Sequence, residues 1–146
     1  MAHRFSGFDI HNLNAEKNFS QFGTYGLSKL CNILFTRHLA KELEKTNITV
    51  NSLHPGTIAS NFGISGSFFY SFFTAKVSKY VLKTTAQGAA TSIFLASSDA
   101  VEGITGEHFS DCKKVIPSMA ARSEKNASDL WIKSMELTGI KEYGII

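Results

Sequence analysis

Tyr25 and Lys29 stand four residues apart in the stretch Thr24-Tyr25-Gly26-Leu27-Ser28-Lys29-Leu30, at the head of a long helical pattern. On a helix that spacing puts a phenol and an ammonium on one face. A phenol whose ordinary pKa is about 10 exchanges protons poorly at neutral pH, and a fixed positive charge beside it favours the phenolate. Tyr25 is therefore a candidate for acid-base work on an oxygen. Taken alone, a Tyr-x-x-x-Lys pair is most often a solvated helix face, so the elements around it must decide.

Leu27, Leu30, Cys31, Leu34, Phe35, His38, Leu39 and Leu43 recur at helical spacing, which predicts one amphipathic helix from Tyr25 to about Lys45. A β-branched run over residues 48–53 follows and stops at His54-Pro55-Gly56, as a buried parallel strand would. Helix, turn, strand and Pro-Gly are α/β grammar. In open α/β sheets ligands lie beyond the carboxyl ends of the strands, so Pro55-Gly56-Thr57 falls where a cofactor could sit.

At these residues the chain resembles the C-terminal half of a short-chain dehydrogenase/reductase, and most of all the retinol dehydrogenase-like branch. Three blocks carry the resemblance: Tyr25-Gly26-Leu27-Ser28-Lys29-Leu30-Cys31-Asn32-Ile33-Leu34-Phe35, then Val50-Asn51-Ser52-Leu53-His54-Pro55-Gly56-Thr57, then Gly103-Ile104-Thr105-Gly106-Glu107-His108-Phe109-Ser110-Asp111-Cys112. The resemblance implies an incomplete α/β fold, the C-terminal part of a Rossmann-like doubly wound parallel sheet. It implies Tyr25 as catalytic acid-base and Lys29 as both its electrostatic partner and the holder of the nicotinamide ribose hydroxyls. Pro55 and Gly56 would wall the nicotinamide, and Thr57, Ile58 and Ser60 would face the carboxamide and phosphates. Ile58 stands where many relatives carry threonine, so only a backbone contact is expected of it. The branch points to NADP, with NAD left open, because the residues that read the 2′-phosphate belong to the other half.

That half has no counterpart here. No glycine-rich turn follows a first strand, and Gly63-Ile64-Ser65-Gly66 reads as a loop. Ala2-His3 are similar to the Ala-His that follows the family's catalytic serine, which would place that serine just before Met1. The expected divisions are a loop or insertion over 1–24, catalytic helix, strand and Pro-Gly turn over 25–62, a substrate lid over 63–83, and C-terminal helices with the last strand over 84–146.

The lid region gathers Phe68, Phe69, Phe72 and Phe73 without a charge among them. By resemblance this suits a small apolar carbonyl or alcohol, a retinoid or other lipid aldehyde, since pockets for such ligands are mostly apolar. The same rings, with Lys76, Lys79 and Lys83 nearby, suit contact with a membrane surface, or else cover an ordinary core; the stretch is too short to span a bilayer. A helix over residues 84–96 with a threonine cap and small residues Gly88, Ala89 and Ser92 is scaffold. A strand over 103–109, a loop over 111–114, and a helix over 123–137 burying Ala127, Leu130, Trp131 and Met135 complete the expectation.

Composition sets outer limits. With 43% apolar content over 146 residues the chain is globular in kind, yet two convincing strands are few for a parallel sheet. The net charge of +3 comes from scattered residues and draws no nucleic-acid stripe. The histidines are dispersed and show no metal-ligand spacing. Cys31 and Cys112 suggest no disulfide framework, and no signal or membrane-spanning stretch appears, which points to the cytoplasm or the cytosolic face of the endoplasmic reticulum. Two functions stay open: a hydride-transferring oxidoreductase, inactive as this chain alone, and a non-catalytic truncated isoform. The second would act as a homo- or hetero-dimer through the helix that runs from Tyr25 to Lys45.

Overall fold

The computed structural model describes residues 1–58 and 83–141. Two short 3-10 turns, Ala2–Phe5 and Ile10–Asn12, occupy the region expected to be loop, the second started by the Asp9 carboxylate accepting the His11 N–H. Helix α1 spans Gln21–Glu42. It begins a turn earlier than its apolar pattern, because the Ser20 hydroxyl accepts the Gly23 N–H at 3.3 Å and so caps it. It also ends short of Lys45. The Leu43 N–H returns to the Leu39 carbonyl, while the Thr46 hydroxyl donates to Leu43 O at 2.8 Å and accepts from the Ile48 N–H at 3.1 Å. A short polar side chain bonded to local backbone offers the chain an alternative to helix.

Strand β1 is Ser52–His54, shorter and later than the β-branched run. Upstream of it, side chains take the partners: the Val50 N–H donates to Thr105 Oγ1 at 3.0 Å, and the Asn51 amide both donates to Ile104 O at 2.7 Å and accepts from the Glu107 N–H at 3.0 Å. Helix α2, Thr85–Ser97, opens with a reciprocal capping box between Thr84 and Gln87. Its buried positions are Gly88 and Thr91, whereas Ala89 and Ser92 face solvent, so the packed face is rotated from the one expected. Strand β2, His108–Ser110, is also shorter than expected, since the turn before it carries Gly103 and Gly106 at φ of 70° and 73°.

β1 and β2 pair in parallel, Ser52 opposite His108 and His54 opposite Ser110. Strand β3, Lys113–Lys114, returns antiparallel to β2 through Asp111 and Cys112, both at positive φ (53° and 58°). That is the geometry of a two-residue I′ hairpin, so the expected loop is a tight turn with a third strand after it. Helix α3, Met119–Arg122, is capped by Ser118. Helix α4, Glu124–Thr138, is capped by Ser123 and stopped by Gly139 in the left-handed region.

The core lies between α1 and the C-terminal helices: Leu30, Ile33 and Leu34 pack with Ala121, Ala127 and Leu130. Leu30 and Leu34 have no exposure, and each such side chain is worth about 2 kcal/mol in area removed from water. Phe35 and His38 stack on Trp131 at 5.5 and 4.7 Å. Met135, expected inside, is half-buried. Held by this seam on one side, α1 turns the edge carrying Tyr25 and Lys29 toward the end of β1.

Candidate active site

Three pieces of chain meet around that edge. Gly26 lets the first of them approach, because a Cβ there would lie 3.0 Å from the Ala2 carbonyl oxygen and 3.1 Å from Ser6 Cβ, so the N-terminal turn rests directly on α1. The second is α1, which presents Tyr25, Lys29, Asn32 and Ile33. The third is β1 running out into Pro55 and Gly56, the latter at φ 89°, a conformation that glycine adopts without penalty. Together with His108 from β2 they enclose a cleft of about 250 Å³. The Lys29 ammonium lies over the Tyr25 ring, 5.3 Å from its centre, and Tyr25 is 43% exposed. Among the described residues that line the cleft there is no Asp or Glu.

Its floor holds three imidazoles that sequence spacing leaves far apart. His3 and His108 meet edge to face at 5.4 Å and both are buried, and His54 lines the same cleft. The Ser52 hydroxyl lies 3.3 Å from Glu107 O, to which it can donate, and shares a hydrogen bond of 3.0 Å with His108 Nδ1. His108 Nε2 is buried with no hydrogen-bond partner among the described residues. Burial, then the neighbouring His3 and His54, pushes His108 down to about 4. Burial, then Arg4, lowers His3, and burial is also the main cause for His54. The three rings are therefore neutral at pH 7, and among the described lining residues Lys29 supplies the ammonium.

Of the residues expected at a cofactor site, Tyr25, Lys29, Pro55 and Gly56 come together in this cleft. Thr57 is exposed, and Ile58 turns its side chain onto Gly88 of α2, so neither is among the lining residues. Ser60, Phe68, Phe69, Phe72 and Phe73 lie outside the described residues. The cleft residues missed in the sequence are His3, Asn32, Ser52, His54 and His108. Asn32 was in reach of sequence reasoning, since it continues the Tyr25–Lys29 face at i+7.

A family model described as Enoyl-(Acyl carrier protein) reductase matches residues 1–111. The chain belongs to the short-chain dehydrogenase/reductase family. Within it, human retinol dehydrogenase 14 is 41% identical over 140 residues, covering 94% of this chain and 42% of that protein. Mouse retinol dehydrogenase 12 is 38% identical over 141 residues, covering 97% and 44%. Human retinol dehydrogenase 11 is 38% identical over 146 residues, covering 96% and 43%. The chain thus spans less than half the length of these relatives. A solved structure of an uncharacterised protein from Mycobacterium paratuberculosis superposes with a TM-score of 0.70 at 23% identity, covering 95% of this chain and 47% of that one. That likeness shows the same α/β fold, incomplete here. Members of the family are oxidoreductases that use NAD or NADP.

Proposed function

We propose that this chain carries the proton-transfer half of an oxidoreductase site that moves hydride between NADP(H) and an apolar carbonyl or alcohol, a retinoid or lipid aldehyde. The observation that carries the reading is the meeting of Tyr25, Lys29, Pro55 and Gly56 in one open cleft. The described lining suits the nicotinamide-ribose end of a dinucleotide: hydroxyl and ammonium donors, no carboxylate among the described residues, and a bare Gly56 against which a flat ring can lie. When bound, the dinucleotide supplies or accepts the hydride. Tyr25 gives a proton to the carbonyl oxygen as it becomes an alkoxide, or takes it in the reverse direction. Lys29, one helical turn on, steadies the negative charge that this leaves on the phenol oxygen and offers hydrogen bonds to ribose hydroxyls.

The substrate class and the NADP preference rest on the retinol dehydrogenases named above. Among the described residues no helix is long and apolar enough to cross a membrane; a cytoplasmic or cytosolic-face location is part of the proposal. The 146-residue chain by itself is expected neither to bind NADPH tightly nor to reduce retinal. Grafted onto the N-terminal part of human retinol dehydrogenase 14, it is expected to give NADPH-dependent reduction of retinal. A graft that folds and remains inactive rejects the enzyme reading.

A second reading, a non-catalytic partner for longer relatives, draws on the 42–44% coverage and on α1, where Phe22 and Phe35 are 78% and 42% exposed. Sedimentation of the chain mixed with a full-length relative tests it, and two independent boundaries count against association.

A further inference from the structure

We infer that Lys83 is the positioning residue of the Pro55–Gly56 corner, setting the cleft wall against which the cofactor reading above lays the nicotinamide. Lys83 holds the chain just past that corner in three ways. Its N–H donates to the Thr57 carbonyl at 2.9 Å, its backbone forms a parallel bridge with Ile58, and its ammonium pairs with the Asp111 carboxylate in the β2–β3 turn. Between these attachments the lysine stem lies flat across Gly56. A Cβ on Gly56 would fall 2.7 Å from Lys83 Cδ, 2.8 Å from Cε and 2.9 Å from Nζ, so the stem would have to move aside to admit one.

Gly56 owes its lack of a side chain to its φ of 89°, and the flexible lysine stem takes up the space beside it. Ile58 completes the triangle by seating its side chain on Gly88 of α2. The corner is thus braced from α2 on one side and from the β2–β3 turn on the other, with Lys83 as the strut.

Asp111 has a side chain 65% exposed, and ion pairs in that setting add little to stability. What the pair does is choose one rotamer for a long flexible side chain and thereby fix where its stem lies against Gly56. Lys83→Met keeps most of the stem and removes the tether, Asp111→Asn removes it from the far end, and Lys83→Arg keeps both. The test is NMR of the 146-residue chain carrying each substitution. In Lys83→Met the Asp111 carboxyl is expected to titrate higher than in the wild type, because the Lys83 hydrogen bond is what holds it below the usual carboxylate range. The Gly56 and Thr57 backbone signals shift in Lys83→Met and Asp111→Asn alike, with an unchanged melting temperature, and Lys83→Arg restores them. Gly56 signals that stay at their wild-type positions in both tether-breaking variants overturn the inference.

In the graft described above, the two variants are expected to raise KM for NADPH about 10-fold with little change in kcat, since a small misplacement of a positioning surface carries a cost of that order or more. A wild-type graft that binds no NADPH, alongside shifted Gly56 signals, sinks the cofactor reading and leaves the brace standing.

Discussion

Lowering the pH from 7 to 5 is expected to destabilise the fold by about 2 kcal/mol through His108 alone. The ring is 4% exposed, and burial, followed by His3 and His54, depresses it to about 4 from the ordinary 6.5. The sign follows from which state binds protons more readily. The unfolded chain takes up a proton at His108 near pH 6.5, while the folded chain keeps the ring neutral until about pH 4. Stability from this group is thus fully present above the unfolded value and is lost as pH falls through the window between the two. Each unit of difference is worth about 1.4 kcal/mol, so the complete loss approaches about 3 kcal/mol, of which roughly 2 has gone by pH 5. His3 and His54 are lowered in the same direction and add to the slope. Asp111 and Glu124, whose carboxyls are held low by Lys83 and Lys41, are exposed and contribute little. Urea unfolding followed by far-ultraviolet circular dichroism is the assay. His108→Gln, which can still donate to Ser52 and cannot titrate, should flatten most of the slope. An unchanged slope in that variant refutes the assignment to His108.

Gly88→Ala adds a methyl that would overlap the Ile58 side chain, so although alanine favours helix by about 1 kcal/mol, overpacking of about 1–3 kcal/mol prevails and the chain loses roughly 1 kcal/mol. Ile58→Ala in the same chain should remove most of that loss, measured by thermal unfolding. Thr84→Ala breaks the capping box with Gln87 and should cost about 1 kcal/mol, with amide exchange quickening first in the opening turn of α2. Leu34→Ala, at a side chain with no exposure between α1 and α4, should cost about 3 kcal/mol in the same unfolding assay.

What the sequence disclosed and what it hid divide along contact range. The Tyr25–Lys29 face and the helix that carries it were legible because helical periodicity is local. So was the Thr84 cap, where threonine stands three residues before glutamine. The true start of α1 was missed because Ser20 signals through one hydroxyl and Phe22, the apolar residue of the first turn, lies off the buried stripe, 78% exposed. The β2–β3 hairpin was missed for a similar reason, since Asp111-Cys112 takes the positive φ values that Asn-Gly usually marks. β1 and β2 came out short because Asn51 and Thr105 occupy backbone groups with side-chain bonds that propensity cannot foresee. The imidazole cluster and the Lys83 strut joined residues far apart in the chain, and Lys83 read most simply as one of several lysines following an aromatic run. No spacing rule reaches across such intervals; only the parallel pairing of β1 with β2 brings His54, His108 and Asp111 into one neighbourhood.

In the proposed reaction the phenol of Tyr25 passes a proton beside Lys29 in the cleft walled by Pro55 and Gly56. The most direct measurement of that step is single-turnover reduction of retinal by the graft carrying Tyr25→Phe, Lys29→Met or both, with NADPH at saturation. Each single change is predicted to slow the chemical step by about 10²-fold or more, and the double change by little beyond the worse single one, as expected of two groups acting as one unit. A Tyr25→Phe graft that turns over at the unsubstituted rate contradicts the account.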